Sequence, residues 1–313
     1  MLLRTYLSTH RTEHQLRRVI DFLGVQVKYI AKDVREANRA SLDSINVYQE
    51  KQLAIDKAAD ERIVRGLSEE TSFSLLELAT EERGEIEQLH INSRKKTEHE
   101  PRYSLTADPL DGSSLIKANL AVGTIFAIHD GKLTDLKPAR ETLISAMYVL
   151  YGPSTTMVLA TETGVNEFIL DQANNWVLKQ ENLRLEEKGS MFGFGGAWID
   201  WVQQHRNYRA KLEELGYKQR NSGGFVPDIN QIVMDCGGVF AYPPTTKSPN
   251  GKLRLWFECQ PMAYIAERLG GLAIDGRRNI LDIPPKDLKQ RTPIYLGSKE
   301  PVELIKPFYQ EVA

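Results

Sequence analysis

The segment 105–126, LTADPLDGSSLIKANLAVGTIF, limits what this chain can form more than any other stretch. Asp108 and Asp111 flank a Pro-Leu pair, and a Gly-Ser-Ser turn (112–114) follows at once. Proline restricts the backbone between the two carboxylates, so that both can face one point. Gly112 lets the backbone N–H groups of the turn face an anion. Because two close carboxylates repel each other unless a cation lies between them, the segment predicts a divalent ion beside an anion-binding turn.

Two further acidic stretches would complete such a site. Glu81 and Glu82 follow an apolar run, and Glu258 stands at the end of another run, which is typical of a strand. Carboxylates and backbone carbonyls are hard oxygen ligands, which favour magnesium or manganese. Each feature alone also has an ordinary structural explanation, because aspartates close turns, paired glutamates begin helices, and Glu258 could pair with an arginine. The functional interpretation depends on the features together.

The composition limits the classes of partner. Of the 313 residues 41% are hydrophobic and 26% charged, and the formal net charge of −2 gives no electrostatic reason to expect nucleic acid or an anionic membrane as partner. The N-terminus lacks the apolar core of a signal peptide, and no window approaches the roughly eighteen apolar residues of a bilayer-spanning helix. Cys236 and Cys259 have no metal-type spacing and cannot form a disulfide framework. We therefore expect a cytoplasmic protein with reduced thiols.

Hydrophobic periodicity predicts a mixed α/β chain. Helical spacing covers residues 14–38, 49–67, 197–215, 260–268 and 301–311. Strand-like runs cover 123–131, 156–161, 166–171, 238–242, 252–258 and 293–298. A charged run near residue 187 predicts a division into an N-terminal half, 1–187, and a C-terminal half, 188–313.

Three segments make the chain recognisable. The Asp-Pro-Leu-Asp-Gly-Ser-Ser motif with Gly-Thr-Ile-Phe after it, the stretch 248–271 and the stretch 281–298 resemble signatures of the class 1 fructose-1,6-bisphosphatase family, and the resemblance runs from about residue 47 to 305. It implies a layered α-β-α-β-α fold of two closely joined halves, each with a mixed sheet. It also implies a homotetramer that hydrolyses the 1-phosphate of fructose 1,6-bisphosphate in gluconeogenic or Calvin-type sugar metabolism. The resemblance further implies Mg²⁺ or Mn²⁺ as cofactor, with two or more ions per subunit.

The resemblance also assigns roles by motif position. The metal ligands would be Glu81, Asp108, the carbonyl of Leu110, Asp111 and Glu258, with Glu50 as a further acidic position near them. Asp56 and Glu82 fall where the family activates the attacking water. The substrate would be held by Gly112, Ser113, Ser114, Arg220, Tyr242 and Lys252.

The sequence departs from the family pattern around the second phosphate. Where the family has a Tyr-Ser-x-Asn-Glu stretch, residues 191–198 read MFGFGGAW, and Asn221 replaces a tyrosine after Arg220. These variants resemble sedoheptulose-1,7-bisphosphatase, so that enzyme, or a dual-substrate bisphosphatase with a roomier distal pocket, is the alternative. An inositol-monophosphatase-like enzyme and a non-catalytic metabolite-binding relative are the other readings. Arg102 and Tyr103 stand where the family binds AMP, which leaves regulation by AMP open.

Overall fold

The chain alternates strands and helices in five layers. The computed structural model of the protein describes residues 1–36, 41–45, 51–70, 72–89, 100–235 and 237–309. Glu50, the further acidic position, and Cys236, one of the two predicted free thiols, lie outside the described residues. Within these ranges, no helix combines the length and apolar character that crossing a bilayer requires.

The elements have the following bounds. The strands are β1 Ser41–Ile45, β2 Lys51–Leu53, β3 Glu77–Thr80, β4 Glu87–Gln88, β5 Tyr103–Asp111, β6 Val122–Asp130, β7 Leu143–Tyr151, β8 Thr155–Thr161, β9 Gly164–Leu170, β10 Trp176–Gln180, β11 Met191–Phe194, β12 Lys218–Gln219, β13 Gly238–Tyr242, β14 Leu272–Ile274 and β15 Ile294–Gly297. The α-helices are α1 Leu3–Thr9, α2 His14–Glu36, α3 Ala54–Glu69, α4 Ala139–Thr142, α5 Gln203–Glu214, α6 Phe225–Met234, α7 Gln260–Arg268, α8 Lys299–Glu303 and α9 Lys306–Tyr309. Short 3₁₀ turns cover Ser113–Ala118, Leu133–Asp135, Trp198–Asp200 and Ile280–Asp282.

An eight-stranded sheet dominates the first half, in the order β10-β9-β8-β7-β6-β5-β3-β4. Its central strands are buried along almost their whole length, because helices cover both faces. Helices α1 to α3 cover one face, where residues such as Leu23, Ile63 and Phe126 share one hydrophobic cluster. The β3–β5 pair is parallel and its neighbours are antiparallel, so the sheet is mixed.

A five-stranded mixed sheet, β12-β11-β13-β15-β14, forms the second half. Helices α6 and α7 lie between the two sheets, where Val226 and Met262 belong to the cluster that joins them. Helices α5, α8 and α9 cover the outer face through a third cluster around Tyr208 and Tyr295. The result is the α-β-α-β-α layering that the family resemblance implies.

Most predicted elements agree with the structure to within a few residues. Helix α7 has the predicted bounds, and α2 covers the described part of 14–38. Helix α3 begins only at Ala54, because Lys51–Leu53 pairs as a strand with β1. The helix predicted at 197–215 is a 3₁₀ turn followed by α5, and the described part of 301–311 contains the end of α8 and then α9 rather than one helix.

The strand predicted at 252–258 is wrong, because only Arg254 makes an isolated bridge there, to Arg291. Residues Leu255–Cys259 form a single turn of π-helix that runs directly into α7. The N–H of Cys259 donates to the carbonyl of Arg254 at 3.0 Å, which is the i to i+5 pattern of a π turn. The run Leu-Trp-Phe is buried on all sides, so its apolar character indicates burial but does not distinguish a strand from a helical turn.

The proposed boundary at residue 187 lies in the segment between β10 and β11. The first sheet is complete by Gln180, and the second begins at Met191. The cluster around α6 and α7 takes residues from both halves, so they share a continuous hydrophobic core. The exact division at 187 stays a prediction.

Candidate active site

A β-bulge in β5 places Asp108 and Asp111 on the same side of the strand. Residues three apart in a regular strand point to opposite faces. Here Asp108 pairs with Ile125 and Asp111 with Gly123, so β5 has one more residue than β6 over this interval. Both carboxyl groups line a cleft of about 530 Å³ between the two halves. The bulge therefore brings the two carboxylates to the same side of the strand, an effect that the sequence led us to expect from the proline.

Three carboxylates meet at the bottom of this cleft. Glu81, Asp108 and Glu258 each present an oxygen within 4.8 Å of the others. Glu81 follows β3, which pairs in parallel with β5, and the π turn orients Glu258 toward them. A hydrogen bond from the backbone N–H of Arg254 to Glu258 Oε2 holds the third carboxylate in place. The grouping joins the two halves of the chain, because Glu258 comes from the second.

Burial and the repulsion of neighbouring carboxylates raise the pKa values of Asp108, Asp111 and Glu258. The pKa of Asp108 lies well above its usual range, chiefly because the group is buried and then because Glu81, Asp111 and Glu258 are close. The pKa of Glu258 is raised by the same causes. Burial raises the pKa of Asp111 to about 6 against the opposing effect of its hydrogen bond from Val226. A cation among these groups would remove the repulsion and favour their charged forms.

The donor set fits a hard divalent cation. Its oxygens come from carboxylates. Leu110, whose carbonyl is a further metal ligand by the family resemblance, also lines the cleft. Asp108 Oδ1 accepts a hydrogen bond of 3.1 Å from the N–H of Leu110, which fixes the chain between the two aspartates. Asp111 lines the same cleft but stands outside the three-carboxylate group. The acidic cluster can therefore hold a metal ion.

The Gly-Ser-Ser turn forms the adjoining wall. Gly112 adopts a left-handed conformation with φ of 75°, which turns the chain from β5 into the 3₁₀ segment. Gly112, Ser113 and Ser114 all line the cleft. The hydroxyl of Ser113 donates to Asp56 Oδ2 at 2.8 Å, so the first turn of α3 is tied to the turn. Glu82 lines the cleft as well, next to Glu81.

Several residues that support the acids were not predicted from the sequence. The guanidinium of Arg254 is 2% exposed, and its Nε lies 3.4 Å from Glu81 Oε1. Asp60 accepts hydrogen bonds from Thr80 Oγ1 at 2.6 Å and from Arg83 Nε at 2.8 Å, which anchors the turn that carries Glu81 and Glu82. Arg254 stands within the recognised signature, so its charge beside so many acids was a signal available in the sequence.

Asp228 and Arg291 are further cleft residues outside the predicted set. Asp228 lies in the first turn of α6, and its Oδ1 accepts a hydrogen bond of 2.6 Å from the N–H of Ser222. The contact holds the loop that includes Gly223 and Gly224 against the cleft. Arg291 donates to the carbonyl of Lys252 and so supports the backbone of a predicted substrate residue.

The distal end of the cleft contains Tyr242 and Lys252, whose ammonium lies 5.4 Å from the centre of the Tyr242 ring. The predicted extra space beside Gly195 is absent, because a Cβ there would lie 2.3 Å from the Tyr242 ring. The glycine is thus required by a close approach of the tyrosine and does not open a pocket. Asn221 lines the cleft and donates to the carbonyl of Phe194 at 3.1 Å.

Arg220 is not among the residues that line the cleft. Its side chain is exposed and donates to the carbonyl of Gln219, the residue before it. Its role in holding the substrate stays a prediction. In the motif Arg220 stands directly before Asn221. Of these two residues, Asn221 is the one that lines the cleft.

Arg102 and Tyr103, the pair at the family's AMP position, have partners within the chain. Arg102 forms an ion pair with Asp130, and the hydroxyl of Tyr103 donates to Glu13 Oε2 at 3.0 Å. Glu13 also accepts from the N–H of Leu16 at 2.9 Å, at the start of α2. Arg102 and Tyr103 therefore both have partners within the chain, and regulation by AMP stays open.

Comparison with known proteins agrees with this geometry. The profile of the fructose-1-6-bisphosphatase N-terminal domain matches residues 3–181, and that of the C-terminal domain matches residues 185–310. A class 1 fructose-1,6-bisphosphatase of Trichlorobacter lovleyi is 42% identical over 299 residues, which cover 96% of this chain and 92% of that protein. The corresponding protein of Pelobacter propionicus is 39% identical over 300 residues, covering 96% of this chain and 90% of that one.

Solved structures give the same assignment. The crystal structure of Leishmania major fructose-1,6-bisphosphatase in its holo form superposes with a TM-score of 0.90 at 27% identity, covering 98% of each chain. Both halves of the chain and its entire layering are therefore accounted for by one family. The chain belongs to the fructose-1,6-bisphosphatase family.

Proposed function

We propose that this protein hydrolyses the 1-phosphate of fructose 1,6-bisphosphate in a Mg²⁺-dependent reaction that yields fructose 6-phosphate and phosphate. The observation that carries the proposal is the group of Glu81, Asp108 and Glu258 within 4.8 Å, next to the Gly-Ser-Ser turn in one cleft. The relatives from Pelobacter propionicus and Trichlorobacter lovleyi are named for the same substrate. The presence of Glu81, Asp108, Asp111 and Glu258 in one cleft argues against a non-catalytic relative, whose mark would be lost ligands.

The proposed metal site uses Glu81, Asp108, Asp111, Glu258 and the carbonyl of Leu110, and Mn²⁺ is the other candidate ion. Two or more bound ions would neutralise the charge of the phosphoryl group and acidify a bound water. The chain's own contribution is positioning. Ser113 and Ser114 hold the phosphoryl oxygens, and the left-handed Gly112 brings the backbone close to them.

Asp56 and Glu82 are proposed to take the proton from the attacking water. Asp56 is 5% exposed, and it lies at the start of α3 with one oxygen accepting from Ser113. Glu82 faces the same cleft from the turn after β3. A carboxylate within reach of the water serves as a general base, and the hydrogen bond to Ser113 keeps Asp56 beside the phosphate.

At the distal end, we propose that Lys252 and Tyr242 hold the second phosphate, with Arg220 as a further substrate residue. Nothing in the comparisons favours sedoheptulose 1,7-bisphosphate. The close packing of Tyr242 on Gly195 also removes the structural reason for a roomier pocket. Fructose 1,6-bisphosphate is therefore the proposed substrate.

A substrate panel tests the proposal in one experiment. Phosphate release is measured with fructose 1,6-bisphosphate, sedoheptulose 1,7-bisphosphate and inositol 1-phosphate at one Mg²⁺ concentration, and again with Mg²⁺ chelated. We expect the highest kcat/KM with the fructose substrate and none without the metal. A hundredfold preference for either other substrate would replace the proposed function.

The cellular setting belongs to the same proposal. A homotetramer that acts in the cytoplasm and in gluconeogenesis is what the family assignment supports. The proposed reaction runs from fructose 1,6-bisphosphate to fructose 6-phosphate, which is the gluconeogenic direction. Light scattering of the purified chain measures its oligomeric state, and we expect the mass of four subunits.

A further inference from the structure

The turn that carries Glu81 and Glu82 is held at both ends by one side chain of α3. The N–H of Arg83 donates to the carbonyl of Thr80 at 3.2 Å, so Glu81 and Glu82 are the two middle residues of a β-turn. Thr80 Oγ1 donates to Asp60 Oδ1 at 2.6 Å, and Arg83 Nε donates to Asp60 Oδ2 at 2.8 Å. The two oxygens of one carboxylate therefore bind the first and the last residue of this turn.

Asp60 lies on the same helix as Asp56, the other proposed base. Residues four apart in an α-helix lie on one face, so the two aspartates stand one turn apart on the same side of α3. Each of them is 5% exposed. Asp56 accepts a hydrogen bond of 2.8 Å from the hydroxyl of Ser113 in the Gly-Ser-Ser turn. One face of α3 thus connects two walls of the cleft, the Gly-Ser-Ser turn through Asp56 and the Glu81–Glu82 turn through Asp60.

Burial and charge make the contact at Asp60 a stiff one. Thr80 is completely buried, and the side chain of Arg83 is 31% exposed. Arg83 Nη1 also lies 2.5 Å from Glu87 Oε1 on β4, so the guanidinium connects α3, the turn and the edge strand of the sheet. Hydrogen bonds between charged groups are short and directional, and a buried carboxylate that loses its cation is destabilised. The pair therefore restricts the turn more than a surface ion pair would.

We propose that Asp60 and Arg83 are positioning residues for the reaction, which place Glu81 at the metal and Glu82 at the attacking water relative to Asp56. Neither Asp60 nor Arg83 lines the cleft, so both act through the turn and not on the substrate. Partners of this kind orient the residues that contact a metal, and their loss typically costs about ten- to a hundredfold in metal affinity or activity. The inference rests on the proposed function, because Glu82 acts as a base only if the chain hydrolyses a phosphate ester.

Asp60→Asn tests the proposal, since it keeps the size of the side chain and an acceptor for Thr80 but removes the charge that binds Arg83. We expect the dissociation constant for Mn²⁺, measured by calorimetry without substrate, to rise about tenfold. With fructose 1,6-bisphosphate at saturating Mg²⁺, kcat should fall about tenfold, and KM should change by less than about twofold because the distal residues are untouched. Arg83→Gln removes the same ion pair from the other side and should give the same changes.

Arg140→Gln is the matched control. Arg140 on α4 forms an ion pair with Glu267 on α7 at 3.0 Å, which joins two segments outside the cleft. A fall in melting temperature that this variant shares with Asp60→Asn measures the purely structural effect of losing such a pair. Its Mn²⁺ binding and its kcat should equal those of the wild type.

A double variant tests the route of the effect. If Asp60 acts through Glu82, adding Asp60→Asn to Glu82→Gln should lower kcat by less than about threefold further. A further tenfold loss would overturn the proposal, as would wild-type Mn²⁺ affinity and kcat in Asp60→Asn, or equal losses in Arg140→Gln. If the wild type binds Mn²⁺ but releases no phosphate from fructose 1,6-bisphosphate, the proposed function fails. The Mn²⁺ affinities of the variants then decide by themselves whether Asp60 positions Glu81.

Discussion

Asp111 Oδ2 accepts a hydrogen bond of 2.7 Å from the backbone N–H of Val226, a residue 115 positions away in the chain. Asp111 ends β5 in the first half, and Val226 lies in the first turn of α6 in the second. The free N–H groups and the dipole of a helix N-terminus favour a carboxylate at this point. The same residue therefore belongs to the acidic motif and fastens the two walls of the cleft.

Gly123 tests that connection, because it pairs with Asp111 and packs under α6. An added Cβ at Gly123 would lie 2.4 Å from Cγ1 of Val226. We expect Gly123→Ala to displace α6, to lower the free energy of unfolding by about 1–3 kcal/mol and to reduce kcat. Urea unfolding and steady-state kinetics measure both effects. At Gly152 the added Cβ would meet Ala121 at an ordinary 3.6 Å, so Gly152→Ala is the control, and equal stability of the two variants would contradict the argument.

The acidic group predicts that one substitution lowers activity without lowering stability in metal-free buffer. Glu258→Gln keeps an acceptor for the N–H of Arg254 but removes one of three close charges. We expect kcat to fall by roughly a hundredfold or more, because a metal ligand is weakened. In metal-free buffer the melting temperature should not fall, since the repulsion that raises the pKa of Asp108 is relieved.

Added Mg²⁺ separates the two effects. It should raise the melting temperature of the wild type and raise that of Glu258→Gln by less, because ligands stabilise the state that binds them. Glu303→Gln, at an exposed position on α8, controls for the loss of a surface charge and should behave as the wild type. An equal response to Mg²⁺ in all three proteins would remove Glu258 from the metal site.

Glu82 provides a test of the proposed base. Glu82→Gln keeps the size of the side chain and removes its ability to take a proton, so we expect kcat to fall by roughly two orders of magnitude with little change in KM. Glu85→Gln, an exposed neighbour in the same turn, should leave both constants unchanged. A higher KM with normal kcat would instead make Glu82 a positioning residue.

His129 predicts part of the acid sensitivity of the fold. It is buried in β6 between Thr106 and Thr142, each 3.2 Å from a ring nitrogen, and burial lowers its pKa from 6.5 to about 4. As the pH falls below 6.5, the unfolded chain takes up a proton that the folded chain does not, so stability is lost between pH 6.5 and about 4. The loss from this group is about 1.4 kcal/mol per pH unit.

A variant of His129 separates the effect of this histidine on acid stability from that of the buried carboxylates. The pKa values of those carboxylates are raised, so their effect on stability as the pH falls has the opposite sign. His129→Gln retains hydrogen-bonding groups and removes the titration, so its free energy of unfolding should fall less steeply with acid than that of the wild type. His14→Gln, at an exposed position, should keep the wild-type slope. Parallel slopes for all three proteins over pH 6.5 to 4 would show that His129 is not held neutral.

The sequence predicts the acids of the cleft better than the backbone that orients them. Asp108, Asp111, Glu81 and Glu258 are visible because their motif is local and chemically unusual. The bulge in β5 and the π turn before α7 depend on pairing with β6 and on burial from every side, which no window of sequence contains. The layered fold was predicted through the family resemblance rather than through periodicity.

The shape of the distal pocket could likewise not be predicted from a local stretch of sequence. The sequence predicts open space at the glycines of 191–198, but the space beside Gly195 is occupied by Tyr242, 47 residues later in the chain. Asp228 was missed because a buried charge becomes informative only when its neighbours are known. Side-chain contacts between distant segments therefore decide the parts of the site that local reasoning leaves open.

The product of the reaction with fructose 1,6-bisphosphate tests the central claim most directly. Phosphorus NMR of the reaction mixture identifies which phosphate leaves, with Mg²⁺ present in one sample and chelated in the other. We predict fructose 6-phosphate and inorganic phosphate in equal amounts with Mg²⁺, and unchanged substrate without it. Fructose 1-phosphate as the product, or equal turnover in the two samples, would contradict the account.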